Sequence, residues 1–94
     1  MVEVQVRITR LLAEIAGTGR TISVEASTAA EAVAALCAKV PALRVHVFDD
    51  AGQVRSHVNI FVRGEIANSP GSLDVALGPG DEIAILQAVS GGAT

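Results

Sequence analysis

Cys37 is the single thiol of the chain, and a thiol reacts as its thiolate. It falls with Val33, Leu36 and Val40 on one apolar helical stripe, where desolvation raises a thiol pKa, so packing is its expected role. His46 and His57 have no cysteine or histidine pair at zinc-ligand spacing and read as surface or strand-end residues, so no metal site is expected. Asp49-Asp50 and Asp81-Glu82 place carboxylates side by side, but adjacent residues point apart instead of converging on one bond, and solvated turns are expected. Gly17-Thr18-Gly19-Arg20 lacks the spacing and the Lys-Ser/Thr ending of a phosphate-binding loop and reads as a hairpin connection. The remaining place is Ala88-Val89-Ser90-Gly91-Gly92. Two glycines without Cβ atoms can thread a narrow channel and leave a carbonyl unhindered, which suits a chain end presented to another enzyme. The alternative is a frayed terminus of small residues. Without convergent His, Cys or acid groups, an active site of the chain's own is not expected.

The elements that would position these residues follow from periodicity. Val2, Val4, Val6 and Ile8 alternate with Glu3, Gln5 and Arg7, as in a strand over residues 2–8 with one face buried. Leu11, Leu12, Ile15 and Ala16 have a short helical or turn-like spacing. Gly17-Thr18-Gly19 then breaks the chain before a second strand around Ile22 and Val24, predicted antiparallel to the first. Thr28 stands three residues before Glu31, a capping-box pattern, and the apolar stripe after it predicts a helix over 29–40, ended by Pro41. Asp49-Asp50-Ala51-Gly52 is turn chemistry. Val58, Ile60 and Val62 alternate in a third strand, and Gly64 leads into a short edge strand at 65–67. Asn68-Ser69-Pro70-Gly71 reads as a loop. Gly78-Pro79-Gly80-Asp81 fits a type II turn before a last strand over 82–87. Strand, strand, helix, strand, short strand, strand makes an α+β roll of the β-grasp type, a mixed sheet with one main helix packed across it. Residues 1–89 are expected to form the domain and 90–94 a flexible tail. Val4, Val6, Val33, Leu36, Val58, Ile60 and Ile83 are the predicted core.

Composition restricts the partners. The 94 residues are enough for one domain, and 50% hydrophobic with 18% charged content is globular, not disordered. The net charge is −3 with no basic cluster, which argues against nucleic acid. No apolar run approaches a membrane span, and the alternating N-terminus does not resemble a signal peptide. A single cysteine fits a reducing compartment, so a cytoplasmic location is expected.

The sequence resembles the ThiS/MoaD sulfur carriers, a family of ubiquitin-like β-grasp proteins, most closely at two places. His57-Val58-Asn59-Ile60-Phe61-Val62-Arg63-Gly64-Glu65 is similar to the family's central strand and the turn after it. Leu77-Gly78-Pro79-Gly80-Asp81-Glu82 through Ala88-Val89-Ser90-Gly91-Gly92 is similar to its ending, a Pro-Gly-Asp turn, an apolar strand and Gly-Gly. Leu11 to Gly17 resembles the segment after the first strand. The resemblance implies a carrier that binds no cofactor. A ubiquitin-activating-like enzyme would use ATP to adenylate Gly92, a sulfur donor would convert the adenylate to a thiocarboxylate, and a biosynthetic enzyme would accept the sulfur. Family members generally stop at the second glycine, whereas here Ala93-Thr94 follow. The resemblance therefore implies a precursor cut between Gly92 and Ala93, as a zinc-dependent deubiquitinase-like peptidase does for some related carriers, or a relative that has lost the function. The rival to a sulfur carrier is a ubiquitin-like modifier joined to lysine, or an interaction module that is never activated. Alternation places Phe61 on the sheet face away from the helix, and Leu86 matches a family position near the tail that meets the adenylating enzyme. Phe61 and Leu86 are thus the expected partner-binding residues.

Overall fold

The computed structural model describes residues 1–67 and 72–87. The Asn68-Ser69-Pro70-Gly71 loop, the boundary expected at 89/90 and the tail lie outside the described residues. Strand β1 (Val2–Ile8) is followed by helix α1 (Arg10–Ala16), strand β2 (Thr21–Ala26) and helix α2 (Ala29–Lys39). A 3-10 turn (Pro41–Leu43) runs into the short helix α3 (Arg44–Val47). Strand β3 (Val58–Val62), the two-residue β4 (Glu65–Ile66), a second 3-10 turn (Ser72–Asp74) and β5 (Glu82–Gln87) complete the order.

The sheet has five strands in the order β2-β1-β5-β3-β4. Its β1–β5 pair is parallel and the other pairs are antiparallel. This is the β-grasp arrangement expected from the sequence. Val4, Val6, Val58, Ile60, Ile83 and Ile85 are fully buried on one sheet face, with Val33 and Leu36 of α2 fully buried in the same core. All seven predicted core residues are fully buried. Replacing Leu36 by Ala should lower stability by about 2–5 kcal/mol through lost transfer energy and a residual cavity. The check is the urea midpoint; an unchanged midpoint would show that α2 does not fill the core through this side chain.

Local chemistry explains the element boundaries. Thr28 Oγ1 accepts from the Glu31 amide at 3.2 Å, and Glu31 Oε1 accepts in return from the Ser27 amide at 2.8 Å, one residue earlier than the standard reciprocal bond. Pro41 ends α2, but it also begins the next turn, where its missing N–H costs nothing. The sequence did not indicate this turn or α3. Gly17 ends α1, so of the helical or turn-like readings of Leu11 to Ala16 the helix holds, and Gly17 to Arg20 complete the connection to the antiparallel β2.

The β3–β4 connection is a two-residue hairpin with Arg63 at φ 52° and Gly64 at φ 84°, the positive pair that a type I′ turn requires. Arg63 thereby reaches across the fold, its Nη2 donating to the Ala76 carbonyl at 3.0 Å and to Asp81 Oδ2 at 2.6 Å. The same Asp81 oxygen accepts from the Gly78 amide at 2.8 Å, and the Asp81 amide donates to the Gly78 carbonyl at 3.1 Å. With Gly80 at φ 82°, this is the expected turn into β5.

Asp81 therefore departs from the simple solvated carboxylate expected of it. The Gly78 amide and then the Arg63 guanidinium hold its carboxyl below the usual carboxylate range. A depressed native pKa means that the unfolded chain binds the proton more readily. The resulting stability is present above the unfolded value, about 3.9, and is lost as the pH falls through the lower native value. Asp81→Asn should therefore be less stable than the wild type at neutral pH, and the gap should close in that acid window. Urea titrations across pH give the test; a gap that stays constant into acid would mean that the ionised form is not what stabilises the turn.

Candidate functional site

Alternation on β3 and β5 sends Val58, Ile60, Val62, Ile83 and Ile85 into the core, leaving Asn59, Phe61, Glu82, Ala84 and Leu86 on the opposite, helix-free face. Register then decides which of these meet. Phe61 lies opposite Ala84 of β5 on one side and opposite Ile66 of β4 on the other. Leu86 lies opposite Asn59, one step diagonal from Phe61. Diagonal neighbours of this kind are about 7–8 Å apart, within reach of an aromatic ring. The structure thus brings Phe61 and Leu86 to one region of one face.

Phe61 itself is half-buried, flanked in register by both neighbouring strands. The more accessible apolar side chains of this face are Ile66, 61% exposed, and Leu86, 40% exposed, on the strands that flank β3. Sequence reasoning missed Ile66 because β4 has only two residues, too few to show a period. The pairing of Phe61 with Ile66 is the observation that reveals it.

The face is divided. Across β4, β3, β5 and β1 the row Ile66–Phe61–Ala84 ends at Arg7, which is exposed and pairs with Glu82 at 3.7 Å. Beyond it, β1 and β2 present Glu3, Gln5, Thr21, Ser23 and Glu25, a polar half. The apolar half includes the end of β5, and the chain continues from there towards the glycines. Gly91, Gly92 and Ala93, the expected sulfur-carrying and processing residues, lie outside the described residues.

The other candidate groups are not assembled into a reactive centre among the described residues. Cys37 is buried, and burial pushes its thiol up while Arg44 pulls weakly the other way, so it is poorly suited to nucleophilic work. His46 sits half-buried on α3, and His57 is exposed just ahead of β3. Asp49 is committed to a turn, its Oδ1 accepting from the amides of Ala51 and Gln53. Among the described residues, no group of three His, Cys, Asp or Glu side chains could hold a metal ion. No helix among them is long and apolar enough to cross a membrane.

Comparison with known proteins places this geometry. Residues 6–92 match the ThiS family. The chain is 40% identical over 84 residues to small archaeal modifier protein 1 of Haloferax volcanii, covering 86% of this chain and 91% of that protein. The crystal structure of that modifier superposes with a TM-score of 0.83 at 36% identity over 96% of this chain and 99% of the other. The crystal structure of Mycobacterium tuberculosis CysO, described as an antigen, superposes with a TM-score of 0.78 at 28% identity, covering 92% of this chain and 99% of CysO.

Proposed function

The chain belongs to the ThiS family of ubiquitin-like carriers and modifiers, and from that premise we propose that it is a sulfur carrier whose reactive atom is the carboxylate of Gly92. The observation that carries the reading is the extent of the family match, which runs through residue 92, the second glycine. No catalytic group of its own is needed for this work. The domain supplies recognition, and the residues after β5 supply reach, about 16–18 Å for the five from Ala88 to Gly92 when extended.

The chemistry follows from the poor electrophilicity of a carboxylate. A partner enzyme transfers AMP from ATP to the Gly92 carboxylate, releasing pyrophosphate and leaving an acyl-adenylate. A hydrosulfide or persulfide sulfur attacks the carbonyl carbon, the C–O bond to AMP breaks, and the product is a thiocarboxylate. When a persulfide is the donor, a thiol must then reduce the acyl disulfide that forms. The thiocarboxylate is a soft nucleophile that a sulfur-accepting biosynthetic enzyme can use. Docking is assigned to the apolar half of the outer face, Phe61, Leu86 and Ile66, with Arg7 at its rim. Aromatic and aliphatic side chains in the centre of an interface, ringed by polar ones, are the usual source of its affinity. The chain acts in the cytoplasm, and the residues after Gly92 are removed by a peptidase, for which a zinc-dependent enzyme of the deubiquitinase-like class is suited.

A second reading is favoured by the 40% identical relative, whose name is that of a protein modifier. In that reading a lysine amine, not sulfur, attacks the same adenylate or a thioester made from it. A reaction of the chain ending at Gly92 with the cognate adenylating enzyme, ATP and sulfide separates the two. Thiocarboxylate, trapped by alkylation and read by intact mass, is expected. Adenylate that passes only to lysine would give the modifier reading.

A further inference from the structure

The free edge of the sheet at β2 is a different surface from the apolar face and from the tail. The Ile8 amide donates to the Arg20 carbonyl at 2.8 Å, so the backbone groups of Ile22, Val24 and Ala26 also turn towards β1, and those of Thr21, Ser23 and Glu25 turn outward. Among the described residues, no strand pairs with that outward row. Among the described residues one side chain hydrogen-bonds to it: Lys39 Nζ, from the end of α2, donates to the Ser23 carbonyl at 3.0 Å. A lysine is a common means of guarding a strand edge. Beside this contact lies a depression lined by Glu3, Ser23, Val24, Glu25, Ala35 and Lys39.

The charges here select an occupant. Glu3 and Glu25 are directly opposite each other on adjacent strands, both exposed, and neither has a cationic partner among the described residues. Like charges in that position repel. A strand added outside β2 would alternate its side chains, sending one set to the outer face beside Glu25, with Glu3 of β1 one strand further in and reachable only by a long side chain, and the other towards Ala35 of α2. We propose that the β2 edge is a strand-addition site for an extended segment of another protein that alternates basic and small apolar residues. Its backbone would satisfy the outward row, its basic side chains would relieve the Glu3–Glu25 repulsion, and Lys39 would swing off the Ser23 carbonyl to admit it. A second copy of this chain is a poorer occupant, because its own β2 would bring a further glutamate, Glu25, and no basic side chain from within the strand.

The test is amide hydrogen exchange and NMR titration of the full chain with acetyl-Lys-Val-Lys-Val-Lys-amide and with its Glu-Val counterpart. The basic peptide should slow exchange at Thr21, Ser23 and Glu25, and should bind about tenfold more tightly than the acidic one, the effect of two exposed charge contacts. Lys39→Ala should tighten binding by about threefold, by removing the competing hydrogen bond. Glu25→Lys should reverse the peptide preference. Ser23→Pro removes an outward N–H that β1 does not use and should abolish binding; should that variant fail to fold, Glu25→Lys alone decides. Equal affinity for both peptides would overturn the proposal. So would shifts centred on Phe61 and Leu86, or outward amides already protected without peptide, whether at all protein concentrations or increasingly as concentration rises.

Discussion

Continuing the chain through Ala93-Thr94 is expected to lower its rate of thiocarboxylate formation by at least about 100-fold relative to a chain ending at Gly92, since even an ångström-scale misplacement of a reacting group can cost that much. Two further residues move the terminal carboxylate by up to about 7 Å. They also put the β-branched side chain of Thr94 beside the reacting carbon. A channel that accepts Gly91-Gly92 because neither carries a Cβ has no room for that arrangement. Both forms should fold alike, because the described core is complete by Ile85. Cleavage between Gly92 and Ala93 by the processing peptidase should restore the full rate. Incubating the two forms with the cognate adenylating enzyme, ATP and a sulfur source decides the matter. Equal yields, or none from either, would remove the processing step from the scheme.

The second large effect is on docking. Changing both Leu86 and Ile66 to Asp should reduce kcat/KM for adenylation by about 30-fold or more, the equivalent of losing one central interface anchor. These two are the exposed members of the apolar half, at 40% and 61%. Their replacement should therefore leave the urea midpoint nearly unchanged. Phe61→Ala is the companion variant. It is half-buried, so its loss should cost both stability and affinity, and the stability measurement separates the two. Gln5→Glu, on the polar half of the same face, should have little effect on the reaction. A Leu86/Ile66 double variant that is adenylated at the wild-type rate would move the docking surface elsewhere.

Much of this architecture was legible because periodicity and caps are local signals. The alternation of Val2, Val4, Val6 and Ile8 fixed which face of β1 is buried, and Thr28 with Glu31 marked the start of α2. The turn at Gly78–Asp81 was likewise readable from Pro79 and Gly80 alone. What was not legible depends on residues distant in sequence. Arg63 and Asp81 are 18 residues apart, and no local pattern links a turn arginine to a turn aspartate. Lys39 finds Ser23 across 16 residues. Ile66 belongs to the apolar face only through its register with Phe61. Pro41 is a stop in the local pattern and also a start in the structure, since the same missing N–H that ends one helix suits the first turn of the next. Alternation puts Phe61 on the outer face and the family resemblance singles out Leu86, but how far apart the two lie follows from the β3–β5 register, which a sequence does not display.

The central claim is that Gly92 carries sulfur, and the most direct measurement is the intact mass of this protein recovered from its native cell under conditions that preserve thioacids. The expected result is a chain ending at Gly92, a fraction of it heavier by the exchange of one oxygen for sulfur, with the extra mass confined to the C-terminal fragment. A chain that always retains residues beyond Gly92, or a Gly92 found only in amide linkage to lysine and never as a thiocarboxylate, would contradict it.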